Sequence, residues 1–149
     1  MFPFSLFQKP LLSTADELRV VEAIREAERN TSGEIRVHLI AKMKGDILSE
    51  AAHAFRKLGM HKTDARNGVL ICVSLRDRKF AIIGDKGIHE RVGNNFWDDV
   101  RNEMQQHFLH GDVPQALISG IIRAGEKLKE HFPFRDGDKN ELNDKPSYA

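Results

Sequence analysis

Three acidic residues and one asparagine have the types and the spacing that metal binding or acid–base chemistry would need. Glu34 opens one predicted strand, Asp64 and Asn67 precede a second, and Asp85 follows a third. Carboxylates that are held close together repel one another unless a proton or a cation relieves them. No cysteine cluster or histidine pair converges with them, so this all-oxygen set suits Ca²⁺ or Mg²⁺ better than zinc. Ligands on flexible loops favour Ca²⁺ over Mg²⁺, which demands stricter octahedral geometry.

These residues are expected to meet because of a central hairpin. Residues 69–75 and 80–83 form two apolar runs of strand length, separated by the polar turn Arg76-Asp77-Arg78. Two such runs across a short polar turn are typical of an antiparallel β-hairpin. A hairpin returns to the place where it began, so Asp85 is predicted to lie beside Asp64 and Asn67.

Glu34 reaches the same edge through a crossover. Residues 34–41 alternate between apolar and polar and predict a strand, in which His38 is expected on the surface. A helix follows, with Asp46 as its N-cap and Gly59 at its end. A strand, a helix and a second strand of these lengths form a βαβ unit, whose strands are parallel. The start of the first strand therefore lies beside the start of the second.

The remaining pattern is helical, and it ends in a polar tail. The other predicted helices cover 14–29 with Thr14 and Glu17 as a capping box, the stretch from Asn94 or Asn95 to 108, and the stretch from Asp112 to the break at Pro133. No linker or repeat divides the chain, so residues 1–149 are interpreted as a single domain with an apolar N-terminal arm, 1–12. Residues 134–149 are either a disordered tail or an extended arm.

Two alternatives to a metal site remain open from the residues alone. In the first, the acidic residues only cap strand and helix ends and pair with Arg66 and Lys86. In the second, the tail lends an oxygen from Asp138, Glu141 or Asp144 to a cation. The tail is not an EF-hand, because Glu141 stands where the loop needs glycine and no helix follows.

Motifs of known enzymes are not matched by the sequence. Residues 84–87 have neither the spacing of a P-loop nor that of a dinucleotide fingerprint. His107 and His110 lack the glutamate and the spacing of a zinc-protease helix. Ser74 lies inside a strand without a nucleophile elbow around it. No nucleophile with its base is apparent in the pattern.

Composition excludes several classes of partner. The chain has 149 residues, a hydrophobic fraction of 40%, a charged fraction of 30% and a formal net charge of +1. These values are typical of one globular domain, and they give no electrostatic reason to expect binding to nucleic acid or to an anionic membrane. No stretch approaches the roughly 18 apolar residues of a transmembrane helix, and the N-terminus lacks signal-peptide features. A cytoplasmic location is therefore expected.

At the hairpin and the first strand the sequence resembles the TPM domain family. The matching segments are SGEI at 32–35, NGVL at 67–70 and DRK at 77–79. The resemblance implies a three-layer α/β/α sandwich around a small mixed sheet. It also implies a Ca²⁺ site made by Glu34, Asp64, Asn67 and Asp85. Many family members have a Gly-aromatic-Gly turn where this chain has GDKG at 84–87, and many are exported or membrane-anchored.

Three functional hypotheses follow from the residues and the resemblance. The first is a Ca²⁺-binding domain, without enzymatic activity, that acts through a protein partner. The second is a phosphomonoesterase at the same sheet edge, in which the cation polarises a phosphoryl oxygen and a carboxylate serves as the base. The third is an interaction module that needs no metal.

Overall fold

A mixed β-sheet forms the centre of the molecule. The computed structural model describes residues 11–134 and 144–149. The strands are β1 (Glu34–Ile40), β2 (Gly68–Ser74), β3 (Lys79–Gly84) and β4 (Ser147–Tyr148), in the spatial order β3-β2-β1-β4. β1 and β2 are parallel, while β2 and β3 are antiparallel. The predicted βαβ unit and the hairpin after it are thus confirmed.

Helices cover both faces of this sheet. They are α1 (Thr14–Glu28), α2 (Ile47–Lys57), α3 (Lys86–His89), α4 (Asp98–Leu109) and α5 (Val113–His131), and a 3-10 turn lies at Met60–Lys62. α5 packs against both α1 and α4 on one face, and α2 covers β2 and β3 on the other face. The three-layer α/β/α arrangement implied by the family resemblance is therefore confirmed. Across the described residues, no helix is long and apolar enough to cross a membrane.

The alternation of side chains along β1 and β2 explains the two layers of core. Ile35 and Val37 of β1 belong to the larger cluster beneath α1, α4 and α5. Leu70 and Cys72 of β2 belong to a smaller cluster beneath α2. Successive side chains of a strand point to opposite faces of the sheet. When both faces are buried, the sequence of a strand is therefore an almost continuous apolar run. Every residue of β2 is buried, as that pattern requires.

Two helix starts differ from the prediction. The N-cap of α1 is Ser13 and not Thr14, since the Ser13 hydroxyl accepts the Asp16 backbone N–H at 3.1 Å. Ser13 also has the extended backbone that an N-cap adopts, while Thr14 is already helical. α4 begins at Asp98 and not at Asn94 or Asn95, because the short helix α3 and a turn occupy the preceding residues.

Part of the polar tail forms an edge strand. Ser147 and Tyr148 pair in parallel with His38 and Leu39 of β1, and the Ala149 backbone N–H donates to the Leu39 carbonyl at 3.0 Å. The alternative of an extended arm therefore holds for residues 144–149. The predicted tail residues 135–143, with Asp138 and Glu141 among them, lie outside the described residues, as do residues 1–10 of the predicted N-terminal arm.

The contact between α1 and α5 gives a test of this packing. A Cβ atom added at Gly125 would lie 2.6 Å from the Ala27 Cβ and 3.1 Å from the Ala27 backbone. Overpacking typically costs about 1–3 kcal/mol, and the better helix propensity of alanine returns about 1 kcal/mol at most. We therefore expect Gly125→Ala to lower the free energy of unfolding by about 1 kcal/mol net in urea denaturation.

Gly45→Ala is the matched control, because a Cβ atom at Gly45 would meet no atom within 4 Å. A Gly125→Ala protein more stable than the wild type, as the helix propensity of alanine alone would make it, would contradict the close approach of α1 and α5.

Candidate functional site

The ends of three strands bring the predicted oxygen donors to one end of the sheet. In the register, Glu34 lies opposite Gly68, the residue after Asn67. Gly84 lies opposite Val69, and the Asp85 backbone N–H donates to the Gly68 carbonyl at 2.9 Å. Glu34, Asn67 and Asp85 thus occupy this end, which we call the rim.

Asp85 is held by an arginine at the rim. Arg66 Nε donates to Asp85 Oδ2 at 2.8 Å, and Arg66 Nη2 donates to Asp85 Oδ1 at 3.1 Å. The same carboxylate accepts the Lys86 backbone N–H at 2.7 Å and acts as the N-cap of α3. Asp85 is nearly buried, and a bidentate arginine neutralises its charge there. The contacts of Asp85 are therefore those of the first alternative above, in which an acidic residue caps a helix and pairs with Arg66.

The loop before β2 presents Arg66 to Asp85. Arg66 has a left-handed backbone with φ of 50°, and its own N–H donates to the Thr63 carbonyl at 3.1 Å. The Thr63 hydroxyl accepts the Asn67 backbone N–H at 3.2 Å. α3 lies directly on this loop, because the Gly87 N–H donates to the Arg66 carbonyl at 2.9 Å. A Cβ atom at Gly87 would lie 2.3 Å from the Ala65 carbonyl oxygen, so only glycine allows this approach.

The other two predicted ligands have different surroundings. Asn67 is almost fully buried, and its Nδ2 donates to the Ser32 hydroxyl at 3.2 Å. Asp64 is exposed in the loop. Within the described ranges 11–134 and 144–149, no three His, Cys, Asp or Glu side chains lie close enough together to hold one ion. The rim thus gathers Glu34, Asn67 and Asp85 without making a cage of three carboxylates.

A carboxyl group that the sequence analysis did not single out lies near Glu34. Glu28, at the end of α1, accepts the Ile35 backbone N–H at 2.8 Å. Burial, with smaller contributions from the nearby Asp144 and Glu34, raises the pKa of Glu28 to about 9, although the hydrogen bond from the Ile35 N–H acts in the opposite direction. Glu28 is therefore protonated at neutral pH. One signal in the sequence is its position four residues after Ile24, which places it on the buried face of α1.

Asp144 joins this neighbourhood through the strand β4. It lies three residues before Ser147, and it contacts both the Glu28 carboxyl group and, at 3.5 Å, the Arg25 guanidinium. Asp144 is one of the three tail residues considered above as an oxygen donor to a cation. The register of β4 is what brings Asp144 to Glu28, and that register has no signal in the tail sequence.

A contact between a histidine and a serine was also not predicted from the sequence. His38 Nδ1 lies 2.7 Å from the Ser147 Oγ, which also lies 3.3 Å from the Val37 carbonyl. His38 was expected on the surface, and this prediction is wrong, because β4 covers that part of β1. Burial and the nearby Arg36 charge lower the pKa of His38, so the ring is neutral. The contact fastens β4 to β1.

Comparisons with known proteins agree with this fold. Residues 7–127 match the family model of the TPM domain. The BA42 protein from the psychrophilic bacterium Bizionia argentinensis sp. nov. is 42% identical with a TM-score of 0.89, over 95% of this chain and 97% of that one. No curated protein matches the chain.

Two more distant structures share the fold alone. The N-terminal domain of a protein from P. gingivalis is 20% identical with a TM-score of 0.66, over 82% of this chain and 79% of that one. The N-terminal domain of the cg2496 protein from Corynebacterium glutamicum is 14% identical with a TM-score of 0.63, over 93% of this chain and 80% of that one. Identities this low carry no information about function.

The Arg66–Asp85 pair gives a first prediction for the rim. Removing Arg66 leaves a nearly buried carboxylate without its partner, which typically costs about 1–3 kcal/mol. Because Arg66 is itself partly exposed, water screens the pair and the lower end of that range applies. We expect Arg66→Gln to lower the free energy of unfolding by about 1 kcal/mol, and the double variant Arg66→Gln/Asp85→Asn to lose less than the sum of the two single changes.

Urea denaturation of the four proteins in this cycle measures the coupling. Arg76→Gln, at an exposed arginine of the hairpin turn, is the control. Strictly additive effects of the two substitutions would show that the pair contributes nothing to stability.

Glu28 gives a prediction for the pH dependence. Its ordinary pKa of 4.5 is raised to about 9 by burial, so between these values the folded protein binds a proton that the unfolded chain does not. The contribution of Glu28 to stability is therefore complete below its ordinary pKa and is lost as the pH rises towards 9. Glu28→Gln keeps an acceptor for the Ile35 N–H and removes the titration. We expect its free energy of unfolding to fall less between about pH 5 and pH 9 than that of the wild type.

Glu22→Gln, an exposed position of the same helix, is the control, and it should follow the wild-type curve. Parallel curves for Glu28→Gln and the wild type would contradict protonation of Glu28 in the folded protein.

Proposed function

The chain belongs to the TPM domain family, and we propose that it is a divalent-cation-binding domain of that family, without enzymatic activity, that acts through a protein partner. The cation is Ca²⁺ or, second, Mg²⁺, and its donors are the oxygens of Glu34, Asp64, Asn67 and Asp85. The observation that supports this most directly is the convergence of Glu34, Asn67 and Asp85 at the rim. The partner, a cytoplasmic location and the absence of nucleic-acid or membrane binding stay predictions.

The chemistry of the rim suits a hard cation. Glu34 is only 2% exposed, and a buried carboxylate is stable only when charge or hydrogen bonds compensate its desolvation. Its charge contributes to raising the pKa of Glu28, so this end of the sheet is already unfavourable for further negative charge. The available donors are carboxylate and amide oxygens, which Ca²⁺ and Mg²⁺ prefer.

The protein supplies few carboxylates to such an ion. Asp85 is held by Arg66, and Asp64 is exposed. Water would have to complete the coordination shell, as it commonly does around Mg²⁺. We therefore propose a weak, partly hydrated site, in which the cation competes with the Arg66 guanidinium for Asp85.

The phosphatase hypothesis has less support at the rim. Arg66, the arginine at the rim, is bound to Asp85 through two nitrogen atoms, so its guanidinium is already engaged. The hydroxyl–histidine contact of Ser147 and His38 lies four residues along β1 from Glu34, which is roughly 13 Å at the rise of a β-strand. A nucleophile activated there would not reach a phosphate held at the rim. For this reason the proposal is of a binding domain.

Thermal melting in Ca²⁺ and in chelator tests the proposal. A ligand present at 100 times its Kd adds about 2.7 kcal/mol to the free energy of unfolding. We expect the melting temperature of the wild type to rise in millimolar CaCl₂ and this rise to be lost in Asp64→Asn/Asp85→Asn. Arg66→Gln removes the competing cation, so it should bind Ca²⁺ more tightly, whereas a purely structural role of the rim would leave the affinity unchanged.

Glu22→Gln serves again as the control, and amide shifts in an NMR titration of the wild type locate the ion independently of stability. If millimolar Ca²⁺ and Mg²⁺ change neither the melting temperature nor the amide shifts around the rim, the cation proposal is wrong and the interaction module without metal remains.

A further inference from the structure

A pocket lies at the end of the sheet opposite the rim. It has a volume of about 330 Å³, and it lies between the turn of the β2–β3 hairpin and the connection from α4 to α5. The Phe80 and Phe108 rings, with centroids 4.9 Å apart, form one wall. The apolar lining consists of Val73, Leu75, Phe80, Phe108, Leu109 and Val113. We call this feature the hairpin pocket.

The charge around the hairpin pocket has one sign. Arg78 and Lys79 are exposed and line it, and the described residues of its lining include no aspartate or glutamate. Neither cation forms an ion pair with any residue in the described part of the chain. The neighbouring Asp77 is engaged elsewhere, because its Oδ2 accepts the Ser74 hydroxyl and the Met43 N–H, each at 2.7 Å. The pocket is thus an apolar cavity beside two cations that form no ion pair with the described residues.

The apolar surface continues beyond the cavity. Leu109, at the end of α4, lines the pocket and is 69% exposed. The volume is at the lower end for sites that enclose a small molecule, although it accommodates one large apolar side chain. Interfaces concentrate their binding energy in such an anchor, surrounded by further contacts. These features fit a peptide segment better than an enclosed small molecule.

We propose that the hairpin pocket binds an acidic peptide segment of a protein partner, which inserts one large apolar side chain against the wall formed by Phe80 and Phe108 and faces Arg78 and Lys79 with its carboxylates. The proposal rests on the protein partner in the proposed function, and it does not depend on cation binding at the rim. The chain's own residues 1–10 are apolar as well, but they contain Lys9 and no acidic residue, so they do not complement the two cations.

Short peptides of defined charge test the pocket. The probes are five capped tripeptides, Glu-X-Glu, with Leu, Ile, Met, Phe or Trp as X, and each is matched by Gln-X-Gln. Each is titrated to 5 mM into the full chain, and the amide and methyl signals are followed by NMR, once in CaCl₂ and once in EDTA. We expect at least one acidic peptide to shift the signals of Phe80, Phe108 and Leu109 in a saturable way, and more strongly than its neutral match.

Two double variants separate charge complementarity from general attraction. Arg78→Gln/Lys79→Gln should weaken acidic-peptide binding roughly three- to tenfold, as expected for two exposed ion pairs. Arg56→Gln/Lys129→Gln removes two exposed cations elsewhere and should leave the affinity unchanged. Arg78 has a left-handed backbone with φ of 53°, and glutamine replaces it without a change in that strain.

Several results would overturn the proposal. The first is that none of the five acidic peptides shifts the signals of the pocket. The second is that the neutral peptides bind as tightly as the acidic ones. The third is saturable binding of octanoate without any peptide binding, which would indicate that the pocket takes a small amphiphile. Contacts from the Phe2 or Phe4 ring to the Leu109 methyl groups in the free protein would identify the chain's own N-terminus as the occupant. Peptide binding that persists in EDTA supports the proposal even if Ca²⁺ does not bind at the rim, while binding lost in EDTA would contradict it.

Discussion

The parallel pairing of β1 with β2 is the constraint on which the rest of the structure depends. It fixes which residues share an end of the sheet, because Glu34 lies opposite Gly68 and the register continues to Ile40 and Ser74. It also requires a crossover, and α2 provides it while covering one face. Because β3 folds back against β2, Asp85 returns to the end at which Glu34 and Asn67 begin.

The same pairing leaves an outer edge of β1 whose backbone groups need partners. Unpaired strand edges are costly when they are buried, and they promote association when they are exposed. This protein uses two devices along that edge. Glu28 accepts the Ile35 N–H through a carboxyl group that burial keeps protonated, and Ala149 donates to the Leu39 carbonyl through the strand β4. The C-terminal residues are therefore part of the sheet and not an appendage to it.

The two ends of the sheet differ in the side chains that they present, and for this reason we propose a different ligand for each. Buried oxygen donors meet at the rim, where Arg66 balances the charge of Asp85. At the other end, Arg78 and Lys79 adjoin an apolar pocket, and none of the lining residues that the structure describes is acidic. An ion and a peptide could bind to one molecule at the same time, since the two sites lie at opposite ends of β2, whose residues are all buried.

The sequence by itself determined the strands β1 to β3 and the order of the four longer helices, but neither α3 nor β4: the apolar run of β2, the N-caps Asp46 and Asp112, the stop at Gly59 and the hairpin turn all have local physical causes. Crossover and hairpin rules then predicted that Glu34, Asn67 and Asp85 share one end. Only the tertiary structure decided what those groups contact. The left-handed backbone that presents Arg66 to Asp85, the shift of the Glu28 pKa and the arrival of Asp144 and Ser147 at β1 depend on contacts between residues far apart in sequence. Such contacts produce no hydrophobic periodicity and no capping motif in the sequence, because burial and neighbouring charge exist only after folding.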